Sequence, residues 1–181
     1  MEAITHILTG IIIQILCFIY FVFPINWFMT AILAFFSHFL IDTLAKITYH
    51  TPEPHKEDKF WVIWHVITIA LIFIVIAIFF FINVLLIAFF LYGAFFANLV
   101  DIWDWMILRP KHNKFKKENP NGKFWGEKLY IHPIIDWIRE KPFFFLPNWN
   151  EKKKGVIFEI ITLTILILLI LFYFPIFDKF F

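Results

Sequence analysis

INWFMTAILAFFSHFLIDTLAKI, residues 25–47, is a membrane helix by composition with an ionisable pair built into it. It has the length of about 20 apolar residues that a bilayer core ~30 Å thick demands. Ser37-His38-Phe39-Leu40-Ile41-Asp42 interrupts it, with Thr43 behind. His38 and Asp42 are four residues apart, so a helix stacks them on one face about a turn from each other. An ionised Asp near the bilayer centre costs roughly 2.5–3.5 kcal/mol, and less toward the interface. A chain that keeps such a pair inside a membrane segment usually gives it a partner or a cation.

Working outward, the 181 residues are 61% hydrophobic and only 17% charged, where soluble domains are nearer a quarter charged. With several apolar runs of spanning length, the expectation is an all-α polytopic membrane helix bundle forming one domain. A β-barrel needs short alternating segments, and none is visible. The predicted spans run from Ile4 to Phe23 (ending before Pro24), Asn26 to Tyr49, Lys59 to Ile82, Asn83 to Leu108 and Val156 to Phe174. The break at Asn83 is set by length, since the run it interrupts is too long for one crossing. A net charge of +2, unevenly placed, points away from nucleic acid, and the lone Cys17 excludes an intrachain disulfide. Met1-Glu2-Ala3 lacks a basic n-region and no small-x-small site follows, so the first run is expected to be a retained helix.

Five spans place the termini on opposite sides. Of sixteen Lys and Arg, all but Lys179 fall on the side holding the N-terminus, the loop at 50–58 and the segment at 109–155. The positive-inside bias makes that side cytoplasmic, with the C-terminus outside the cell (inner) membrane. In the long segment, Pro133 to Glu140 reads as a short helix with proline in its first turn. Phe143 to Pro147, with Trp149, forms an apolar knot that either lies on the headgroups, caps the bundle or packs as a loop. Lys152-Lys153-Lys154 is an anchor beside the last span or a lipid contact.

Ionisable residues gather in the cytoplasmic half of the spans. His6 starts the first helix; His38 and Asp42 end the second; His65, a turn after Trp61 and beside Trp64, starts the third. Asn98, Asp101 and Asp104 end the fourth, and Glu159 begins the fifth. Charges near helix ends cost less than central ones, but that does not choose one surface over the other. Nor does it select imidazoles and carboxylates, which bind divalent metals. His6, His38, Asp42, His65 and Asp101 are therefore the candidate metal ligands, with zinc the first candidate ion. Asp104 and His132 are the candidate catalytic residues, either one as general base. Each has a plainer reading: interfacial or belt residues for His6 and His65, an interhelical hydrogen bond for His38–Asp42. Asp101 and Asp104 could pair with Arg109 or Lys46, and a helix N-terminus accounts for Glu159. His50, His55, His112 and His132 read as solvated loop residues, with His132, before the Pro133 helix, the best site candidate among them, and Trp103 and Trp105 as interface anchors. Ser37 and His38 point about 100° apart on a helix, which argues against a Ser–His nucleophile.

On these residues the chain resembles a loosely defined family of bacterial and archaeal inner-membrane proteins described as membrane-bound metal-dependent hydrolases. The likeness rests on Thr5-His6 with Gly10, on Ser37-His38-Phe39-Leu40-Ile41-Asp42, and on Asp101-Ile102-Trp103-Asp104. The family has Pro-Asp-x-Asp-His where this chain has Asp101-x-x-Asp104 with no His following, and its His-Arg-Gly element is absent here. The resemblance implies a metal-dependent hydrolase. With the polar cluster it makes membrane lipids the expected partners and a lipid ester or phosphoester the expected substrate. Two other classes compete: a transporter, which needs a polar path across the outer half that is not seen, and a structural or partner-binding protein whose polar cluster only locks the helices.

Overall fold

The computed structural model of the chain describes residues 3–49, 57–82, 84–150 and 152–177. The expectations placed on His50, His55, Asn83 and Lys179 lie outside these residues. In chain order come α1 (Ala3–Tyr20), α2 (Ile25–Leu44), α3 (Lys59–Ile82) and α4 (Val84–Ala97). After a break at Asn98, α5 (Leu99–Asp101) opens into a wider π-helical stretch, Ile102–Leu108, and continues as α6 (Arg109–Glu118). A 3₁₀ turn, Trp125–Leu129, leads to α7 (His132–Glu140), and α8 (Lys153–Phe177) follows. Among the described residues there is no strand, so the architecture is an all-α bundle. Helices α1, α2, α3 and α8 are each long and apolar enough to cross a membrane, and the bent pair around Asn98 makes a fifth if it counts as one span.

Several helix ends differ from the sequence expectation for local reasons. The first helix stops at Tyr20, short of Phe23, since the residue before Pro24 is pushed out of helical geometry. Beyond Leu44 the chain tightens: Ala45, Lys46 and Ile47 donate to the carbonyls of Asp42, Thr43 and Leu44, the three-residue spacing of a 3₁₀ turn. The fourth span is not straight to Leu108. It bends by 61° at Asn98, whose side-chain amide donates to Ala94 O at 2.8 Å and competes there with the helix ladder. It then runs on to Glu118, ten residues into the stretch expected to be loop. The last helix passes Pro175 to Phe177; so near a C-terminus, proline removes a single ladder bond.

Helix α1 is central. It packs on α2, α4 and α8 and touches α3, and 56% of it is buried inside the bundle against 11% for α3. Lipid is as apolar as a leucine side chain, so helices associate in it by close fit and hydrogen bonds, and small residues mark the crossings. Here a Cβ added to Gly10 would stand 2.3 Å from Gly93 O, so the α1 and α4 backbones touch. One turn on, Gln14 Oε1 accepts the Gly93 N–H at 2.8 Å. The rest of the interior is aliphatic and aromatic: Ile4, Leu8, Ile11 and Ile15 meet Phe90, Leu163, Ile170 and Phe177.

The connecting segment folds onto the end of the bundle where α1 starts and α2 finishes. Helix α7 packs on α2, Trp149 N–H donates to Lys46 O at 2.7 Å, and Lys46 Nζ donates to Phe143 O at 3.2 Å. The Phe143–Trp149 knot thus caps α2 through its backbone while Phe144 and Phe145 stay exposed.

Candidate metal centre

At that end, His38 and Asp42 of α2, Asp101 of α5 and His132 of α7 each offer one donor atom, all within 4.8 Å of one another. His38 and Asp42 meet as their spacing requires: Nε2 lies 3.2 Å from Asp42 Oδ2 and 3.8 Å from Asp101 Oδ1. His132 Nε2 lies 3.3 Å from Asp101 Oδ1 and 3.6 Å from Asp42 Oδ2. Two imidazoles and two carboxylates form a donor set that suits a divalent cation.

Which nitrogen of each ring carries the proton follows from the acceptors. His38 Nδ1 lies 2.8 Å from Ala97 O, and a carbonyl only accepts, so Nδ1 holds the hydrogen. In the neutral ring Nε2 is then a bare lone pair. It is buried, makes no hydrogen bond among the described residues, and faces carboxylate oxygens. A lone pair against carboxylates is repulsive unless a proton or a metal ion stands between them. His132 has the same arrangement, its Nδ1 lying 2.7 Å from Asp104 Oδ2. Histidines that bind metal almost always donate their other N–H to a carboxylate or carbonyl in this way.

Outer contacts fix the carboxylates too. Asp42 presents Oδ2 to the group, while Oδ1 accepts from His6 Nε2 at 3.1 Å. The fully buried His6 ring stacks on His38 with centroids 4.1 Å apart. Asp104 is almost fully buried. Besides His132 Nδ1 it accepts the backbone N–H groups of Ile131 and His132, both at 2.8 Å, and so pins the first turn of α7. The His132 side chain lies outside the spans, and its pKa is raised from 6.5 to about 10. Burial opposes this shift; hydrogen bonds to Asp101, Asp42 and Asp104 outweigh it.

The structure therefore brings together His38, Asp42 and Asp101 from the expected ligands and adds His132, which the sequence marks as a candidate general base. His6 stands behind Asp42. Expected as a ligand, His65 is not in the group: it lies on the peripheral α3, its Nδ1 2.8 Å from the Trp61 carbonyl. Asp104, expected as a base, has its oxygens engaged by N–H donors. Neither Asp101 nor Asp104 pairs with Arg109 or Lys46: Arg109 lies over the Trp105 ring and Lys46 reaches Phe143. Glu159 is not a first-turn acid, because α8 starts at Lys153. It is fully buried, with Thr5 Oγ1 donating to its Oε1 at 3.0 Å. His112 is half-buried and stacks on Phe124.

Compared with family models, curated proteins and solved structures, the chain gives no match.

Proposed function

We propose that this protein is a membrane-embedded, metal-dependent hydrolase that acts on an ester or phosphoester of a lipid or another membrane-associated molecule. The observation that carries the reading is the pair of imidazoles, His38 and His132, each with its Nδ1–H held by an acceptor and its Nε2 turned toward Asp42 and Asp101. A divalent ion held by these four residues, zinc being well suited to the donors, supplies Lewis-acid activation of water and of the scissile group. In hydrolysis, water adds across the ester bond, one product taking the hydroxyl and the other the proton.

The chain's own residues divide the remaining work. His6 holds Asp42 and Asp104 holds His132, so the donors keep their places when the ion leaves. Asp101 is the most open of the four, with 31% of its side chain exposed, and it is the carboxylate best placed to take a proton from incoming water. The bias of Lys and Arg toward this end of the chain supports placing it at the cytoplasmic leaflet of the cell membrane, where lipids would reach the site laterally. The resemblance of the Thr5-His6 and Ser37–Asp42 motifs to inner-membrane metal-dependent hydrolases supports the same assignment.

A second reading is favoured by the ties that join helices at this end, Thr5–Glu159 and His6–Asp42: the polar group only locks the bundle. Metal content of detergent-purified protein separates the two. Stoichiometric metal in the parent and its loss in both His38→Ala and Asp42→Ala supports the metal centre; folded, metal-free parent protein supports the lock. Metal-dependent release of product from lipid esters in reconstituted vesicles, lost in Asp101→Ala, completes the test of hydrolysis.

A further inference from the structure

The open side of the metal group is the side of Asp101 and His132, whose side chains are 31% and 22% exposed, while His38 is fully buried. On that side stands Trp105, its ring centre 5.6 Å from that of His132. Arg109 lies over the same indole, with Cζ 4.3 Å from the ring centre. The contacts step away from the group along the widened helix, from His132 to Trp105 and from Trp105 to Arg109. The two steps, 4.3 Å and 5.6 Å, put the guanidinium within about 10 Å of the His132 ring.

Arg109 is exposed, and among the described residues no acid pairs with it. The sequence offered Asp101 and Asp104 as its partners; both turn instead to His132. Charge says what such a cation would serve. Two carboxylate ligands cancel the charge of a divalent ion, and Asp104 adds one more negative charge just behind. The centre by itself therefore carries no net positive charge to draw an anion toward it. A guanidinium beside it restores that pull, and its planar fork matches two phosphate oxygens, which a point-charge ammonium does not. The indole beneath holds the side chain by cation–π contact and limits its excursions.

We propose that Arg109, seated on Trp105, binds the phosphoryl group of the substrate, which makes that substrate a phosphoester and not a carboxylic ester. This rests on the hydrolase reading above and narrows it. The phosphate could belong to a lipid headgroup or to a soluble phosphomonoester; both present the same oxygens.

The test uses the full-length protein in nanodiscs loaded with Mn²⁺, whose paramagnetism broadens the ³¹P signal of any phosphate bound beside it. Bound Mn²⁺ is counted independently by electron paramagnetic resonance. Glycerol 3-phosphate is the soluble probe and phosphatidic acid, at a few per cent in phosphatidylcholine discs, is the lipid probe. Broadening by the parent of one probe or the other identifies the source. Arg109→Ala should keep its Mn²⁺ and melting temperature and bind the probe at least tenfold more weakly. Arg109→Lys should recover only part of the loss. Equal ³¹P broadening in parent and Arg109→Ala, or no broadening of either probe by Mn²⁺-loaded parent, overturns the phosphate site and leaves the metal centre standing. A parent that takes up neither Mn²⁺ nor Zn²⁺ removes both.

Discussion

Replacing Asp104 by asparagine separates two roles that the sequence alone leaves together, general base and support for a metal ligand. The structure has Asp104 Oδ2 accepting from Ile131 N, His132 N and His132 Nδ1 at 2.8, 2.8 and 2.7 Å. An asparagine oxygen in that position keeps an acceptor, with two lone pairs, for His132 Nδ1 and the first turn of α7, while its NH₂ takes the place of the Oδ1 that accepts from Ile131 N at 3.1 Å. Asp104→Asn therefore removes the charge and loosens the α7 N-terminus less than Asp104→Ala does. Losing an outer-shell carboxylate behind a ligating histidine typically costs 10- to 100-fold in metal affinity, or about 1.4–2.7 kcal/mol. Asp104→Ala strips all three acceptor contacts, frees the first turn of α7 and should exceed the upper figure. The assay is competition between metal-depleted protein in micelles and a chelating dye at fixed pH, with the melting temperature as the control for folding. If Asp104→Asn binds metal as tightly as the parent and loses only turnover, Asp104 is a base and the supporting role assigned to it is wrong.

Three further outcomes follow from the same geometry. His65→Ala should leave metal affinity unchanged, since His65 turns to its own helix backbone at Trp61; a drop in the dye titration would place α3 in the site after all. Gly93→Ala inserts a methyl against the backbone of α1, the mirror of a contact at 2.3 Å. Overpacking of this kind costs about 1–3 kcal/mol or more, so the melting temperature should fall by several degrees, and an unchanged value would contradict the α1–α4 crossing. Metal-free protein should lose stability as pH rises through the alkaline range. His132 is raised from 6.5 to about 10, above its unfolded value, so its contribution is complete below about pH 6.5 and is lost as pH climbs through about 10. The same proton competes with a metal ion, so affinity should rise over that window. Melting curves of chelator-treated parent against His132→Gln, which should lack this slope, check the sign.

How far the site could be read from sequence depends on how far each contact reaches. His38 and Asp42 share one helix, and four-residue spacing alone sets their meeting. Asp101 needed one more premise, that alternating spans bring the end of the fourth beside the end of the second. His65 met the same premise and lies elsewhere, for a physical reason. Helix α3 is apolar all round, so nothing in its pattern marks an inward face, and its position at the edge of the bundle turns most of it outward. His132 was harder still. Its place depends on how residues 109–131 double back, and the one local signal was Pro133, which fixes where α7 begins without saying where it points. The position of Asp104 does not follow from α-helical spacing. The π-helical stretch from Ile102 to Leu108 changes the angle between successive residues, so Asp104 is carried off the face of Asp101 and behind His132. Such a bulge is unfavourable by itself and is often kept at functional sites. Here it lets one helix supply a donor at Asp101 and, three residues later, the support for a donor from another helix. A regular α-helix through Asp104 should therefore loosen His132 without altering a single residue of the donor set. Deleting one residue between Trp105 and Leu108 tests this: the four donors remain, but metal affinity should fall about as far as in Asp104→Ala.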